Sequence, residues 1–324
     1  MFKRLLLRPL IVLLALAGFA TAVLVAMIAQ PLVPPPPLAS IQQGARKIDA
    51  TDAPALSYFP ARDGTQIGYR VFEPAAGASG PAAILIHGSA GHSLNQVPLG
   101  RALAAAGVRA IAVDMRGHGA SGARGDVAYI GQSEDDLADL MDHLKLADKP
   151  ALVGFSMGGG FVARVAHTPL GAKFSRFVLA SPFLGTDAPT SRPSSGDARW
   201  ANVDLPRIIA LTILHRAGVD CCGALPVIAY GLPAEIRRYA TTQYSFNLLS
   251  SFGPKDMRYR DLSGIPQPVA IVAGEKDELM FAARYAEVAK TAAQAQLAVI
   301  PGVDHMGLAR APAALDALVA AVKG

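Results

Sequence analysis

Ser156 stands in Val153-Gly154-Phe155-Ser156-Met157-Gly158-Gly159-Gly160, directly behind an apolar run. Glycine weakens strands and helices alike, so four glycines in seven residues need a reason. The pattern G-x-S-x-G supplies one. The serine would sit in strained backbone on a sharp strand-to-helix turn, its hydroxyl raised into a cleft. Gly154 and Gly158 would remove the Cβ atoms that collide where the strand meets the helix. A glycine turn with an incidental serine is the bland alternative, and the strand-before, helix-after context weighs against it.

A serine hydroxyl is a weak nucleophile at neutral pH and needs a base. Of the seven histidines, His305 has the right position. It follows the last strand-like run, in Pro301-Gly302-Val303-Asp304-His305-Met306-Gly307, on a loop before the final helix. An acid must hold its imidazole, and Ala273-Gly274-Glu275-Lys276-Asp277 puts Asp277 on a loop at the same sheet edge. Glu275, Glu278 and Asp304 compete for that place and are expected to point to solvent. The order Ser156, Asp277, His305 is the chain order that accompanies a nucleophile elbow. A developing oxyanion needs backbone donors. One is the Met157 N–H; the other candidate is the Ser89 N–H, in the loop Ile86-His87-Gly88-Ser89-Ala90-Gly91. The His87 ring is read as ordering that loop. The chemistry is acyl transfer, and it requires neither metal nor cofactor.

These residues need elements to position them. Strand-like runs occupy 67–72, 82–86, 109–113, 151–155, 176–180, 269–273 and 297–300. Several are short and continuously apolar, as strands buried on both faces are. The clearest helix spans 134–146, where Leu137, Leu140, Met141 and Leu144 share one face. Ser133 is its expected N-cap, with Glu134, Asp135 and Asp136 in the first turn. Alternating β and α predicts an α/β fold, a mostly parallel sheet with helices on both faces. The stretch 183–262 breaks the rhythm, shows no clear strand, and reads as a helical insertion.

Composition excludes several functions. The net charge is +5, but Lys3, Arg4 and Arg8 stand before residue 40, where there is no Asp or Glu. The remainder holds 27 basic against 25 acidic residues, no footprint for nucleic acid. Cys221 and Cys222 are adjacent, and neighbouring Cα atoms about 3.8 Å apart sit below the usual disulfide range. They read as two small apolar side chains, and nothing else suggests a zinc site.

The uncharged run 9–30 can span a bilayer core of about 30 Å at about 1.5 Å per residue. A cleaved signal peptide competes, since Ala20-Thr21-Ala22 fits a cleavage site, but the apolar run continues past it. An uncleaved anchor is favoured, with the body on the extracytoplasmic side, the periplasm in a bacterium. Pro34 to Pro37 then read as a stiff spacer. The organisation expected is an anchor at 1–30, a Pro-rich linker at 31–54, a core at 55–182, an insertion at 183–262 and the rest of the core at 263–324.

Asp63-Gly64-Thr65-Gln66-Ile67-Gly68-Tyr69-Arg70, His87-Gly88, Asp114-Met115-Arg116-Gly117-His118-Gly119-Ala120-Ser121-Gly122, the elbow, the turn to Asp277 and the late His305 together resemble an α/β-hydrolase. The group resembled contains the lysophospholipases, monoacylglycerol lipases and serine aminopeptidase S33-like enzymes. The resemblance runs almost the length of the body and implies the α/β-hydrolase fold, a serine hydrolase, and a lid at 183–262. Serine at the elbow argues against the carboxylate-nucleophile chemistry of dehalogenases and epoxide hydrolases in this fold. Gly117 to Gly122 also spells G-x-G-x-x-G, but no helix opens there, as a dinucleotide site would require. Arg116 and His118 receive no catalytic role. The anchor and apolar insertion favour a lipophilic acyl ester, such as a lysophospholipid or monoacylglycerol. Short-chain esterase, thioesterase and aminopeptidase readings stay open, as does a non-catalytic receptor that keeps the fold and binds a ligand in the cleft.

Overall fold

The computed structural model describes residues 2–75, 80–193, 199–237 and 239–324, with side chains from Ile11 onward. The orientation read from Lys3, Arg4 and Arg8 lies outside the described side chains. In chain order the strands are β1 (Ser57–Pro60), β2 (Gln66–Phe72), β3 (Ala82–Ile86), β4 (Arg109–Val113), β5 (Ala151–Phe155), β6 (Arg176–Ala180), β7 (Ala201–Val203), β8 (Pro226–Tyr230), β9 (Gln243–Ser245), β10 (Val269–Gly274) and β11 (Ala295–Ile300). The helices are α1 (Phe2–Ile28), α2 (Ala39–Arg46), α3 (Val97–Ala105), α4 (Gln132–Leu144), α5 (Met157–Ala166), α6 (Leu205–Arg216), α7 (Phe246–Ser251), α8 (Tyr285–Ala289) and α9 (Pro312–Lys323).

Eight strands form one sheet in the order β1-β2-β4-β3-β5-β6-β10-β11. Only β1–β2 and β2–β4 pair antiparallel; every other pairing in the sheet is parallel. The reason lies in the side chains. Ile84, Leu85 and Ile86 of β3 and Ala110, Ile111 and Ala112 of β4 are fully buried, so both faces of these strands need cover. Helices supply it on each side, and two apolar cores result, one per face. Parallel pairing sends the carboxyl ends of β3, β5, β10 and β11 to one edge, where ligands bind in open α/β sheets.

Three expectations are corrected here. Helix α4 starts at Gln132, earlier than predicted, and Ser133 does not cap it. Gly131 at φ 102° turns the chain, and its carbonyl accepts the Glu134 and Asp135 N–H groups, leaving the Ser133 hydroxyl buried inside the first turn. Second, the insertion is not all helical. It carries a small antiparallel sheet in the order β7-β8-β9 beside α6 and α7. Two of those strands are three residues long, too short to show a period, and a short apolar run like β8 does not distinguish strand from helix.

Third, residues 31–54 are no free spacer. Gly231 of the insertion packs on the carbonyls of Pro35 and Pro36, and Asn202 Nδ2 donates to the Val33 carbonyl at 2.9 Å. Helix α2 lies on the loop after His305: Ile41 and Gly44 are buried, and Gly44 sits against Met306, where a Cβ would overlap that side chain. Chain ends with apolar faces and backbone glycines can dock this closely; an extended proline run alone would not reveal it.

Helix α1 contains an 18-residue window, Ile11–Ile28, of mean hydropathy 2.7 with none of it buried. It is long and apolar enough to cross a bilayer, and a signal sequence has the same character. Its end is tied to the insertion: Arg207 Nε donates to the Ile28 carbonyl at 2.8 Å, and its guanidinium also reaches the Gln30 carbonyl.

Candidate active site

Three loops leave the carboxyl edge of the sheet and meet. The first follows β5. Ser156 there has φ 55° and ψ −117°, a left-handed conformation that costs a non-glycine residue on the order of 1–3 kcal/mol. The flanking glycines explain how the turn closes. A Cβ on Gly154 would overlap the Gly158 carbonyl, and one on Gly158 the His87 carbonyl. The Ser156 carbonyl accepts N–H bonds from Gly159 and Phe183 at 2.9 Å each, which pins the strained residue from two sides.

The second loop follows β3. Gly88 lies against the elbow, a Cβ there coming 3.2 Å from Ser156 Cβ. Among the described residues neither the Ser89 N–H nor the Met157 N–H meets a protein acceptor, and Met157 opens α5, whose first amides carry the positive end of the helix dipole. His87 is fully buried. Burial lowers its pKa to about 4, so the ring is neutral. Its Nδ1–H donates to the Gly88 carbonyl at 2.8 Å, and Nε2 accepts the Met115 N–H at 3.2 Å. His87 therefore orders the loop, with both nitrogens occupied.

A second support lies behind it. Tyr244 of β9 accepts the Ala90 N–H at 2.9 Å and donates to His118 Nε2 at 2.7 Å, while His118 Nδ1–H donates to the Arg116 carbonyl at 3.1 Å. Burial and the neighbouring His87 hold the His118 pKa well below its ordinary value, consistent with that tautomer. Ala90 itself has φ 59°, so the loop needs holding. Removing the Tyr244 hydroxyl orphans the Ala90 amide and His118 Nε2. The variant Tyr244→Phe is expected to lose about 1–3 kcal/mol of stability and more kcat than its KM change accounts for, measured by thermal melting and steady-state kinetics.

The third cluster joins the loops after β10 and β11. Asp277 and His305 are 1 % and 2 % exposed. His305 Nδ1 lies 2.8 Å from Asp277 Oδ2, while Asp277 Oδ1 accepts the Leu279 and Met280 N–H groups at 2.9 Å each. The competing acids are occupied elsewhere. Glu278 takes the His305 backbone N–H at 3.0 Å, Glu275 the Gly302 N–H at 2.8 Å, and Asp304 the Gly307 N–H at 2.5 Å. Burial acts to lower the His305 pKa, but Asp277 outweighs it, helped by Glu278 and Asp304, and the net shift is upward from 6.5. Burial likewise acts to raise Asp277, and the His305 charge and hydrogen bond bring it below 3.8. The His305 ring centroid is 4.9 Å from that of Phe155, the residue before Ser156.

The segment 114–122 is a structural turn. Asp114 accepts the Ser93 N–H at 2.6 Å and the Ala120 N–H at 2.9 Å. Gly119, at φ 51°, leaves room for that carboxylate. Arg116 is held in a buried fork by Asp136 at 2.7 Å and Asp63 at 2.9 Å. No cluster of three or more His, Cys, Asp or Glu side chains suited to a metal occurs among the described residues. Cys221 and Cys222 are free, on an exposed turn of the insertion.

A cavity of about 350 Å³ opens beside these loops. Its floor includes Gly88, Ser89, Phe155 and Met306. The insertion contributes Trp200, Leu232 and Ile236, and Trp200 Nε1 reaches Ser89 Oγ at 3.3 Å. A further part of the lining, from Ile41 to Ala50, lay outside the residues to which sequence reasoning gave any part in the site. The signal for it was present in Ile41, Ala45 and Ile48, three apolar residues at helical spacing after the prolines.

The chain is similar to known hydrolases in sequence and in fold. A family model described as serine aminopeptidase, S33 matches residues 80–220. The 2-(acetamidomethylene)succinate hydrolase of Mesorhizobium japonicum is 30 % identical over 243 residues, covering 70 % of this chain and 82 % of that protein. Among solved structures, Est1E from Butyrivibrio proteoclasticus with bound ferulic acid superposes with a TM-score of 0.57 at 20 % identity, over 82 % of this chain and 96 % of its own. A monoacylglycerol lipase from Paleococcus ferrophilus gives a TM-score of 0.56 at 20 % identity, over 79 % and 99 %. The two structural likenesses speak to the fold.

Proposed function

The chain belongs to the α/β-hydrolase family, in its S33 serine aminopeptidase-like group, and on that premise we propose that it cleaves carboxylic esters of apolar acyl groups through an acyl-enzyme on Ser156. One observation carries the reading: a serine held at φ 55° on the β5–α5 turn, at the sheet edge that also holds the buried His305–Asp277 pair at 2.8 Å. His305 takes the Ser156 proton as the hydroxyl attacks the ester carbonyl. The carbonyl oxygen, now an oxyanion, is held by the Met157 and Ser89 N–H groups. The imidazolium then protonates the leaving alcohol as the C–O bond breaks. Water, deprotonated by His305, attacks the acyl-serine and frees the acid and the serine. Asp277 fixes the proton on Nδ1, so Nε2 is free to act as base.

The cavity's lining is mainly apolar, which supports an acyl chain over a charged acid. A second reading, turnover of a small polar acid like the succinate derivative in the Mesorhizobium relative's name, draws on Arg46 and His92 at the same cavity. If α1 anchors the chain, the body stands on the extracytoplasmic side, facing lipid. A fluorophosphonate probe read by intact mass tests the nucleophile. One adduct on the wild type and none on Ser156→Ala supports the reading; no adduct on folded wild type, with and without detergent micelles, overturns it. An ester panel from acetate to palmitate, with a succinate derivative added, then separates the two substrate classes.

The raised His305 pKa gives a pH dependence. The base must be neutral, so kcat/KM should rise through an apparent pKa above 6.5 and stay level beyond it. The pair's effect on stability runs the other way for His305: a folded pKa above the unfolded one stabilises fully below about 6.5 and is lost as pH rises through the folded value. For Asp277, shifted below 3.8, stabilisation holds above the unfolded value and is lost as pH falls. A kcat/KM profile that falls between pH 6 and 8 would contradict the assignment.

A further inference from the structure

We infer that Ile41, Ala45 and Ile48, in the segment that precedes the hydrolase body, select the length of the acyl chain. The inference rests on the esterase reading of the site and adds the determinant of its preference. These three residues form one wall of the cavity whose floor is Ser89, Phe155 and Met306. Leu232 and Ile236 of the insertion line the same cavity. An acyl group attached at Ser156 beside Gly88 has this apolar volume next to it, and any chain filling it would meet α2.

The wall is fastened at each end. Gly44 rests directly on Met306, the residue after His305. Arg46 pairs with Glu235 of the insertion at 3.2 Å, an exposed pair of little energy that nonetheless marks the mouth. Asp49 meets Arg101 at 3.3 Å, and the Arg70 guanidinium binds the Pro54 carbonyl. Upstream, Gly231 packs against the Pro35 and Pro36 carbonyls. The segment therefore crosses from insertion to core over the cavity, and its side chains set the space left there. Each added methylene gains only where apolar volume remains to bury it, so preference for longer chains lasts only as long as that volume does.

Two variants of the full chain move the volume in opposite directions. Ala45→Trp fills it and should lower the decanoate-to-acetate ratio of kcat/KM for p-nitrophenyl esters at least tenfold. Ile48→Ala enlarges it and should raise the palmitate-to-decanoate ratio at least threefold. A partly unfolded protein does not produce shifts of opposite sense. A binding arm needs no chemistry: dansyl-undecanoic acid, titrated by fluorescence into the Ser156→Ala background, should bind at least tenfold more weakly when Ala45→Trp is added. Unchanged ratios, or dansyl-undecanoate binding that is absent from the parent or indifferent to Ala45→Trp, overturn the inference. If the wild type hydrolyses no ester while that binding responds as expected, the esterase reading fails and the assignment of the wall stands.

Discussion

Ser156→Ala is expected to lower kcat for ester hydrolysis by about four to six orders of magnitude. The size follows from what remains. On the proposed mechanism His305 and Asp277 stay paired, and the Met157 and Ser89 amides and the cavity proposed to take the substrate are untouched by the change. On that mechanism no acyl-enzyme can form without the hydroxyl, and the imidazole can only assist a water that nothing positions. In serine hydrolases that use a Ser-His-Asp triad, the residual rate over water comes from the oxyanion donors and substrate binding alone. KM should change little, because Ser156 is small and buried, and because alanine tolerates the strained backbone no worse than serine. Steady-state kinetics, with intact mass to exclude wild-type contamination, checks it. A variant within tenfold of wild type would remove Ser156 from the mechanism.

Asp277→Asn should cost about four orders of magnitude in kcat, and the hydrogen bonds give the reason. Oδ1 of Asp277 accepts two backbone N–H groups, so the asparagine must keep its carbonyl oxygen there. Its NH2 then points at His305 Nδ1. A donor facing Nδ1 forces that nitrogen to accept, and the proton moves to Nε2. The imidazole is then in the wrong tautomer to take a proton from serine. The raised pKa of His305 should also vanish, since the charge that outweighs burial is gone. Glu275→Gln removes a carboxylate that binds a backbone turn, and Asp304→Asn one that binds the Gly307 N–H and the Arg310 guanidinium; each should retain activity within about tenfold, a surface-type effect. Comparable losses in all three variants would mean that no single acid holds the imidazole.

The parts of the fold that were legible share a property. Strands β3, β4, β5 and β6 begin and end where the sequence places them, because an apolar run bounded by turns has only one way to sit in a buried parallel sheet. The elbow was legible because glycines at fixed offsets answer a steric demand at their own position. The start of α4 was not, because Gly131 and Ser133 both satisfy local capping rules and a positive φ decides between them. The cavity wall was not, because Gly44 and Met306 lie far apart in sequence and nothing in either one's neighbourhood announces the other. A proline run next to a hydrophobic helix reads as a spacer by composition. Only the approach of Gly231 to its carbonyls reveals that it is packed.

The backbone at Ser156 carries a further implication. At φ 55° the chain prefers glycine over any residue with a Cβ. The proposed nucleophile thus works against the fold that displays it, and the surrounding sheet and the Gly159 and Phe183 amides must overrule the local preference. Random mutants of this protein ranked by melting temperature alone would favour glycine at position 156, because on the proposed mechanism thermal resistance and turnover make opposite demands at one residue. Any programme that hardens this chain must therefore be scored on turnover from its first round.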